Sequence, residues 1–147
     1  MSHQTIPTEG LRSFFDRFQA LSAASDIEGL AAMYAESVTI AGATGVLVVT
    51  SADLRRAIPK RKALLESAGC TDTALVGFEE TALGDRYSLV RAQFRWLFEA
   101  NGQRDAITLP ASFVVDRGGS SPQIVFYLNE RDVFSVLRER GVLPATS

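Results

Sequence analysis

The sequence predicts an α+β fold, with helices laid against one face of a curved antiparallel sheet. Three observations predict it. Apolar residues near the start of the chain recur with a 3.6-residue period. Three long segments between residues 72 and 116 alternate in character from one residue to the next. Helical segments come first and strands then follow in a run, an order that points to helices segregated on one sheet face.

Residues 8–24 read as the first helix. Leu11, Phe14, Phe15, Phe18, Leu21 and Ser22 share one face, while Arg12, Asp16, Arg17 and Gln19 lie opposite. "SDIEGLAAMYAES" predicts a second, short helix, capped by Ser25 or Asp26, with Ile27, Leu30, Ala31 and Tyr34 inward. "VTIAG" and "GVLVVT" are brief strands. "TSADLRRAIPKRKALLESAG" predicts a third helix, capped by Thr50 or Ser51, disturbed around Pro59 and ending near Gly69.

Strands are then expected at about 72–83, 86–99 and 104–116, joined by "GD" and "ANGQ" hairpins. "QIVFYLN" is a further strand, with Ile124, Phe126 and Leu128 the expected inward set, although Tyr127 could face either way. "ERDVFSVLRERG" predicts a closing helix with Asn129 as cap, Asp132 near its positive end and Gly141 just past its C-terminus.

In "VRAQFRWLFEA", Phe94, Trp96 and Phe98 share one face, and Arg91, Gln93 and Arg95 the other. The aromatic face is expected to turn towards the helices, joined by Ile107, Leu109, Ala111 and Phe113 of the next strand.

The length of 147 residues fits one domain with a continuous core, from a flexible tail at 1–7 to an additional helix at 130–141. With 15 basic and 17 acidic residues there is no basic excess, which argues against a nucleic-acid partner. No apolar run approaches the roughly 20 residues that span a bilayer, so no membrane partner is expected. No secretory signal is visible, and a single cysteine, Cys70, excludes an internal disulfide. A cytoplasmic location is the expectation, with Cys70 a semi-buried bystander.

The stretch "FFDRFQALSAASDIEGLAAMYAESVTIAG", with the later meander and its "ANGQ" hairpin, resembles the NTF2-like superfamily. That superfamily is the cone-shaped, cystatin-like α+β roll that includes ketosteroid isomerase and SnoaL-like cyclases. The resemblance covers about residues 8–129 and implies N-terminal helices packed on a curved antiparallel sheet, with a pocket in the cone. The helix after residue 130 lies outside the usual core. The fold implies where a site sits and leaves its chemistry open.

Ketosteroid isomerase needs a carboxylate base, and a tyrosine with a protonated aspartate to hold an oxyanion. By the resemblance its tyrosine falls on Phe18, its base at or beside Gly42, and its aspartate on Ala111. All three positions lack the functional group, so that activity is not expected. Cyclases and dehydratases of this fold use pocket histidines with an aspartate, and the one histidine here is His3, in the tail. The epoxide hydrolases use an Asp–Arg–Asp set. Its nearest echo, Arg91, Gln93 and Arg95, sits on the outer face without a carboxylate.

Other acids have structural explanations. Asp26, Asp53 and Asp132 stand at helix starts, Asp85, Asp105 and Asp116 at hairpin ends, and Glu79 and Glu80 can face solvent. Cysteine, histidine and acid spacing suggests no metal site, and no glycine-rich loop suits phosphate. No cofactor is expected.

Three features remain. Phe18, Tyr34, Phe94, Trp96, Phe98 and Phe113 converge either as a solid core or as the wall of an apolar cavity. Leu109 and Ala111 join that wall. Arg61 lies on the apolar face of the third helix, where it could snorkel out, pair with Asp16, or point inward to bind a carboxylate. The outer sheet face, with Tyr87, Leu89, Arg91, Gln93, Arg95 and Leu97, suits a homodimer, which the resemblance also implies.

The leading expectation is a homodimeric protein whose mostly apolar pocket binds a small hydrophobic molecule. One alternative is a SnoaL-like isomerase, dehydratase or cyclase acting on a hydrophobic ring, using Tyr34 or Tyr127 as donors and Arg61 as electrostatic stabiliser. Another is an interaction module using the sheet face and the final helix, whose Val133, Phe134 and Leu137 need a surface to cover.

Overall fold

The computed structural model describes residues 8–143; His3 and the tail at 1–7 lie outside them. Four helices and six strands follow in order: α1 (Thr8–Ala24), α2 (Ile27–Ala32), β1 (Tyr34–Gly42), β2 (Gly45–Thr50), α3 (Ser51–Ser67), β3 (Cys70–Leu83), β4 (Tyr87–Ala100), β5 (Gln103–Asp116), β6 (Gln123–Asn129) and α4 (Val133–Glu139). The strands form one sheet in the order β2-β1-β6-β5-β4-β3. Its neighbours pair antiparallel except β1 and β6, which run parallel, so the expected antiparallel sheet is a mixed one.

The α1 helix forms as its periodicity predicts, burying Leu11 and Phe15 completely, with Phe14 and Phe18 half-buried beside them. Its outer face pairs Arg12 with Asp16 at 3.2 Å. The chain then turns a corner at Ser25, which takes a positive φ of 56°. Asp26, rather than Ser25, caps α2, its carboxylate accepting from the Gly29 N–H at 2.9 Å.

Tyr34 is not helical. The Ile124 N–H donates to the Met33 carbonyl at 2.9 Å, so the chain joins β6 at that point. Tyr34 is therefore the first residue of β1.

Thr50 caps α3 through a reciprocal box: its hydroxyl accepts from the Asp53 N–H at 3.2 Å, and the Asp53 carboxylate accepts from the Thr50 N–H at 2.9 Å. The expected disturbance at Pro59 does not interrupt the helix, which is anchored on either side by buried Leu54 and Leu65. Gly69 ends it with a φ of 89°, and its carbonyl accepts from the Glu99 N–H at 2.9 Å. A Cβ at Gly69 would lie 2.3 Å from the Glu99 carbonyl oxygen, so only glycine allows this approach.

The long hairpin β4–β5 pairs Ala100 with Gln103. Its two-residue turn, Asn101-Gly102, has φ values of 53° and 76°, as a type I′ turn requires. The register brings Phe94 opposite Leu109 and Trp96 opposite Ile107 on the inner face.

Two of the sheet's register shifts, one in β3 and one in β6, reset which residues face inward. In β3, Val76 is the extra residue opposite β4, which leaves Leu75 and Phe78, three apart, on the same inner face. In β6, Val114 pairs with Phe126 and Val115 with Ile124, so Val125 is extra. Consequently Ile124 and Tyr127 point inward, correcting the expected set of Ile124, Phe126 and Leu128.

Two apolar clusters result. One joins Leu11 and Phe15 of α1 to Val90, Phe94, Phe113, Val115 and Ile124 of the sheet. The other joins Leu65 and Ala68 at the end of α3 to Phe98, Ile107, Leu109 and the inner face of α4. A helix as short as α4 is unstable alone. Burying Val133, Phe134, Val136 and Leu137 holds it in place, each contributing about 1.5–3 kcal/mol.

Three expectations change here. Val133, Phe134 and Leu137 cover the chain's own sheet and so are unavailable to a partner. Asn129 does not cap α4, because it pairs with Gly42 in the β1–β6 ladder. Asp132 occupies the cap position without a side-chain capping bond.

Candidate functional site

Between the two clusters lies a cavity of about 680 Å³. Its apolar wall is assembled from Phe18 of α1, Phe94 and Trp96 of β4, Leu109, Ala111 and Phe113 of β5, and Phe134 of α4. Ring centroids lie 6.1 Å apart for Phe18 and Phe94, 5.9 Å for Phe18 and Phe113, and 6.3 Å for Phe94 and Trp96. These are contact distances for tilted and edge-on rings, so the wall is packed laterally while the space in front of it stays open.

The residues singled out in the sequence mostly meet here: Phe18, Tyr34, Arg61, Phe94, Trp96, Leu109, Ala111 and Phe113 all line the cavity. Phe98 does not. It alternates onto the correct face, but α4 lies over it and seals it into the neighbouring cluster. Of the three positions tied to isomerase chemistry by resemblance, Phe18 and Ala111 line the cavity with carbon alone. Gly42 is exposed at the end of β1, beside Asn129.

Polar groups gather at one side. Tyr34 starts β1 and stands edge-on to Phe18, with centroids 6.1 Å apart. Tyr127, brought inward by the Val125 bulge, stacks on Phe113. Arg61 reaches in from α3 with its guanidinium over the Phe134 ring, 4.9 Å from the centroid, while staying open to solvent. It does not pair with Asp16, whose partner is Arg12. Asp132 and Asn129 complete this side.

Burial pushes the Tyr34 hydroxyl above the ordinary tyrosine pKa, helped by Tyr127 and opposed by Arg61. Burial likewise raises Tyr127, opposed by Arg61 and helped by Asp132. Both phenols are therefore neutral hydrogen-bond groups at ordinary pH. Among the described residues, neither hydroxyl, the Trp96 indole N–H nor the Arg61 guanidinium has a hydrogen-bond partner.

Elsewhere on the rim, Gln19 donates to the Thr73 carbonyl at 2.8 Å and to the Thr73 hydroxyl, tying α1 to β3. Cys70 is half-buried at the rim, and burial raises its thiol pKa, which disfavours the reactive thiolate. Among the described residues, no three His, Cys, Asp or Glu side chains gather as metal ligands do.

Sequence reasoning left Tyr127 undecided and missed Asp132 and Phe134 as cavity residues. The Val125 bulge decides the first and has no strong sequence signal. The position of α4 decides the other two, and its apolar stripe was a signal that it packs somewhere.

No protein-family model matches the sequence, and no curated protein matches it. Solved structures do match its fold. An NTF2-like protein with a cystatin-like fold from Novosphingobium aromaticivorans gives a TM-score of 0.69 at 18% identity, covering 93% of this chain and 88% of that one. A ketosteroid isomerase-like protein from Erwinia carotovora atroseptica gives 0.67 at 14% identity, covering 86% and 96%. The beta subunit of the benzoate 1,2-dioxygenase from Burkholderia mallei gives 0.66 at 15% identity, covering 89% and 98%. The chain therefore has the NTF2-like, cystatin-like α+β fold. Identities this low establish the fold alone.

Proposed function

We propose that the protein binds a small, mostly hydrophobic molecule in the cavity between its two apolar clusters. The observation that carries this reading is open space of about 680 Å³ bounded by aromatic side chains, within the roughly 300–1,000 Å³ usual for ligand sites. A crystal structure of the protein as purified from its host tests it. Ordered density against Phe18, Phe94 and Phe113 is expected. Rings collapsed into the space, leaving no room for a ligand, would count against the reading.

A second reading is a SnoaL-like isomerase, dehydratase or cyclase acting on a hydrophobic ring substrate. Tyr34 and Tyr127 support it, since both are neutral donors facing the cavity, with Arg61 near them as electrostatic stabiliser. Asp132, which influences Tyr127, is the carboxylate nearest that role. Deuterium uptake next to the carbonyl of cyclic ketones incubated with protein in heavy water is the test. Uptake that Tyr127→Phe abolishes supports an enzyme, and no uptake above the buffer rate removes this reading.

We also propose that the outer sheet face joins two copies. Tyr87, Leu89, Arg91, Gln93 and Arg95 are exposed there, mixing apolar and arginine side chains suited to an interface. Leu97, the last of the set, is half-buried. The Burkholderia mallei protein of the same fold is named as a subunit. A cytoplasmic location rests on the sequence grounds given above; among the described residues no helix is long and apolar enough to cross a membrane.

A further inference from the structure

We infer that the molecule held in the cavity is a ring compound bearing a carboxylate, with the ring against Phe18, Phe94 and Phe113 and the carboxylate facing Arg61. This inference rests on the reading of the cavity as a ligand site and specifies the ligand's chemistry.

Hydrogen-bond supply is the first ground. Arg61 can only donate, and the two tyrosine hydroxyls have no acceptor among the described residues, although Asn129 and Asp132 on the same side carry acceptor oxygens of their own. A ligand that satisfies Arg61 and both hydroxyls brings acceptor oxygens. A carboxylate brings two oxygens with about four lone-pair sites and matches the guanidinium fork. A purely hydrocarbon ligand would displace water from these groups and give nothing in return.

Charge is the second ground. Arg12, Arg55, Arg86 and Arg91 on the outer surface each have a carboxylate within ion-pair distance, at 3.2, 2.9, 2.7 and 3.2 Å. Arg61 has none among the described residues, as is true of exposed Arg17 and Arg95, and differs from them in lining the cavity and lying over the Phe134 ring. A cation–π contact at 4.9 Å holds the guanidinium near the ring without consuming its N–H donors.

Other charged groups around the cavity do not cancel this preference. Arg131 is paired with Glu139 at 2.6 Å, and the Lys62 ammonium donates to the Ala23 carbonyl at 3.3 Å. Glu66, Asp72 and Asp132 also line the cavity, and none reaches Arg61 within ion-pair distance. These three carboxylates could draw a cationic ligand instead, so the test includes a cation.

The test is calorimetric titration of the whole protein with three naphthalene probes of similar size: the carboxylate, its neutral carboxamide and the methylammonium. The carboxylate is expected to bind roughly ten- to a hundredfold more tightly than the carboxamide, the range of a charge-assisted hydrogen bond. Arg61→Gln should weaken the carboxylate roughly ten- to a hundredfold and the carboxamide, which loses only a bond to its neutral oxygen, by much less. Tyr127→Phe should weaken the carboxylate several-fold, an independent check should the Arg61 variant disturb α4. Equal binding of carboxylate and carboxamide overturns this inference and leaves the cavity as a ligand site. Preference for the methylammonium overturns it in favour of the cavity's carboxylates. Failure of all three probes to bind overturns both the inference and the ligand-site reading.

Discussion

Tyr127 lies flat on Phe113, their ring centroids 4.9 Å apart and their planes 7° from parallel. The stack exists because the Val125 bulge turns Tyr127 to the same face as its cross-strand partner Phe113. The ring therefore does structural work while the hydroxyl is left facing the cavity. Tyr127→Phe should change unfolding free energy by less than about 1 kcal/mol, since no protein hydrogen bond is lost. Tyr127→Ala should cost about 3 kcal/mol or more. Urea denaturation of both variants checks this, and equal losses would show that the hydroxyl has an internal partner.

Phe15 is the hub of the α1 core. It is fully buried and touches the rings of Phe14, Phe18, Phe78 and Phe113, with centroids 4.9–6.0 Å away. Phe15→Ala should destabilise by about 3–5 kcal/mol, the range for a large ring removed from a packed site. A loss below about 1 kcal/mol in chemical denaturation would mean that α1 does not pack as described.

Stability should fall at both ends of the pH scale, for opposite reasons. The Asp116 carboxyl is held down at about 2, first by the hydrogen bond from Arg86 and then by the Gly118 N–H. A depressed pKa stabilises the fold above the unfolded carboxylate value of about 3.9 and loses that contribution as pH falls towards the folded value. Tyr34 and Tyr127 are raised by burial. Their contribution is fully present below the unfolded tyrosine value of about 10 and is lost as pH rises beyond it. Unfolding free energies measured across pH should show Arg86→Met weakening the acid side and Tyr34→Phe flattening the alkaline side. An alkaline limb unchanged by Tyr34→Phe would place that hydroxyl in water.

Arg91 is the sharpest probe of the outer sheet face. It is exposed and 3.2 Å from Glu130 of its own chain. Arg91→Glu puts two acids side by side on that surface and should shift sedimentation from dimer to monomer. A wild-type protein that sediments as a monomer, or a variant that remains dimeric, would remove that face as the interface.

Most of the fold was legible because it rests on strong local signals. The Thr50 and Asp26 caps, the Asn101-Gly102 turn and the alternation from Val90 to Phe98 each act within a few residues. What could not be read depends on partners distant in sequence. Tyr34 reads as helical by period and becomes a strand residue because β6 captures the chain there. Tyr127 changes face through a one-residue bulge, and Phe98 leaves the cavity wall because α4 folds back over it. Arg61 was legible as an oddity on an apolar helix face, and the position of Phe134 explains how it is accommodated.

The most direct measurement is a titration with N-phenyl-1-naphthylamine, a neutral dye that brightens in apolar surroundings. Trp96 is the chain's single tryptophan and lines the cavity, so it can pass excitation to a dye bound there. The predicted result is a saturable one-to-one signal excited through Trp96, abolished in Ala111→Phe, whose added ring occupies the space. No saturable signal, or one undiminished in a folded Ala111→Phe variant, would contradict the claim that this cavity receives a ligand.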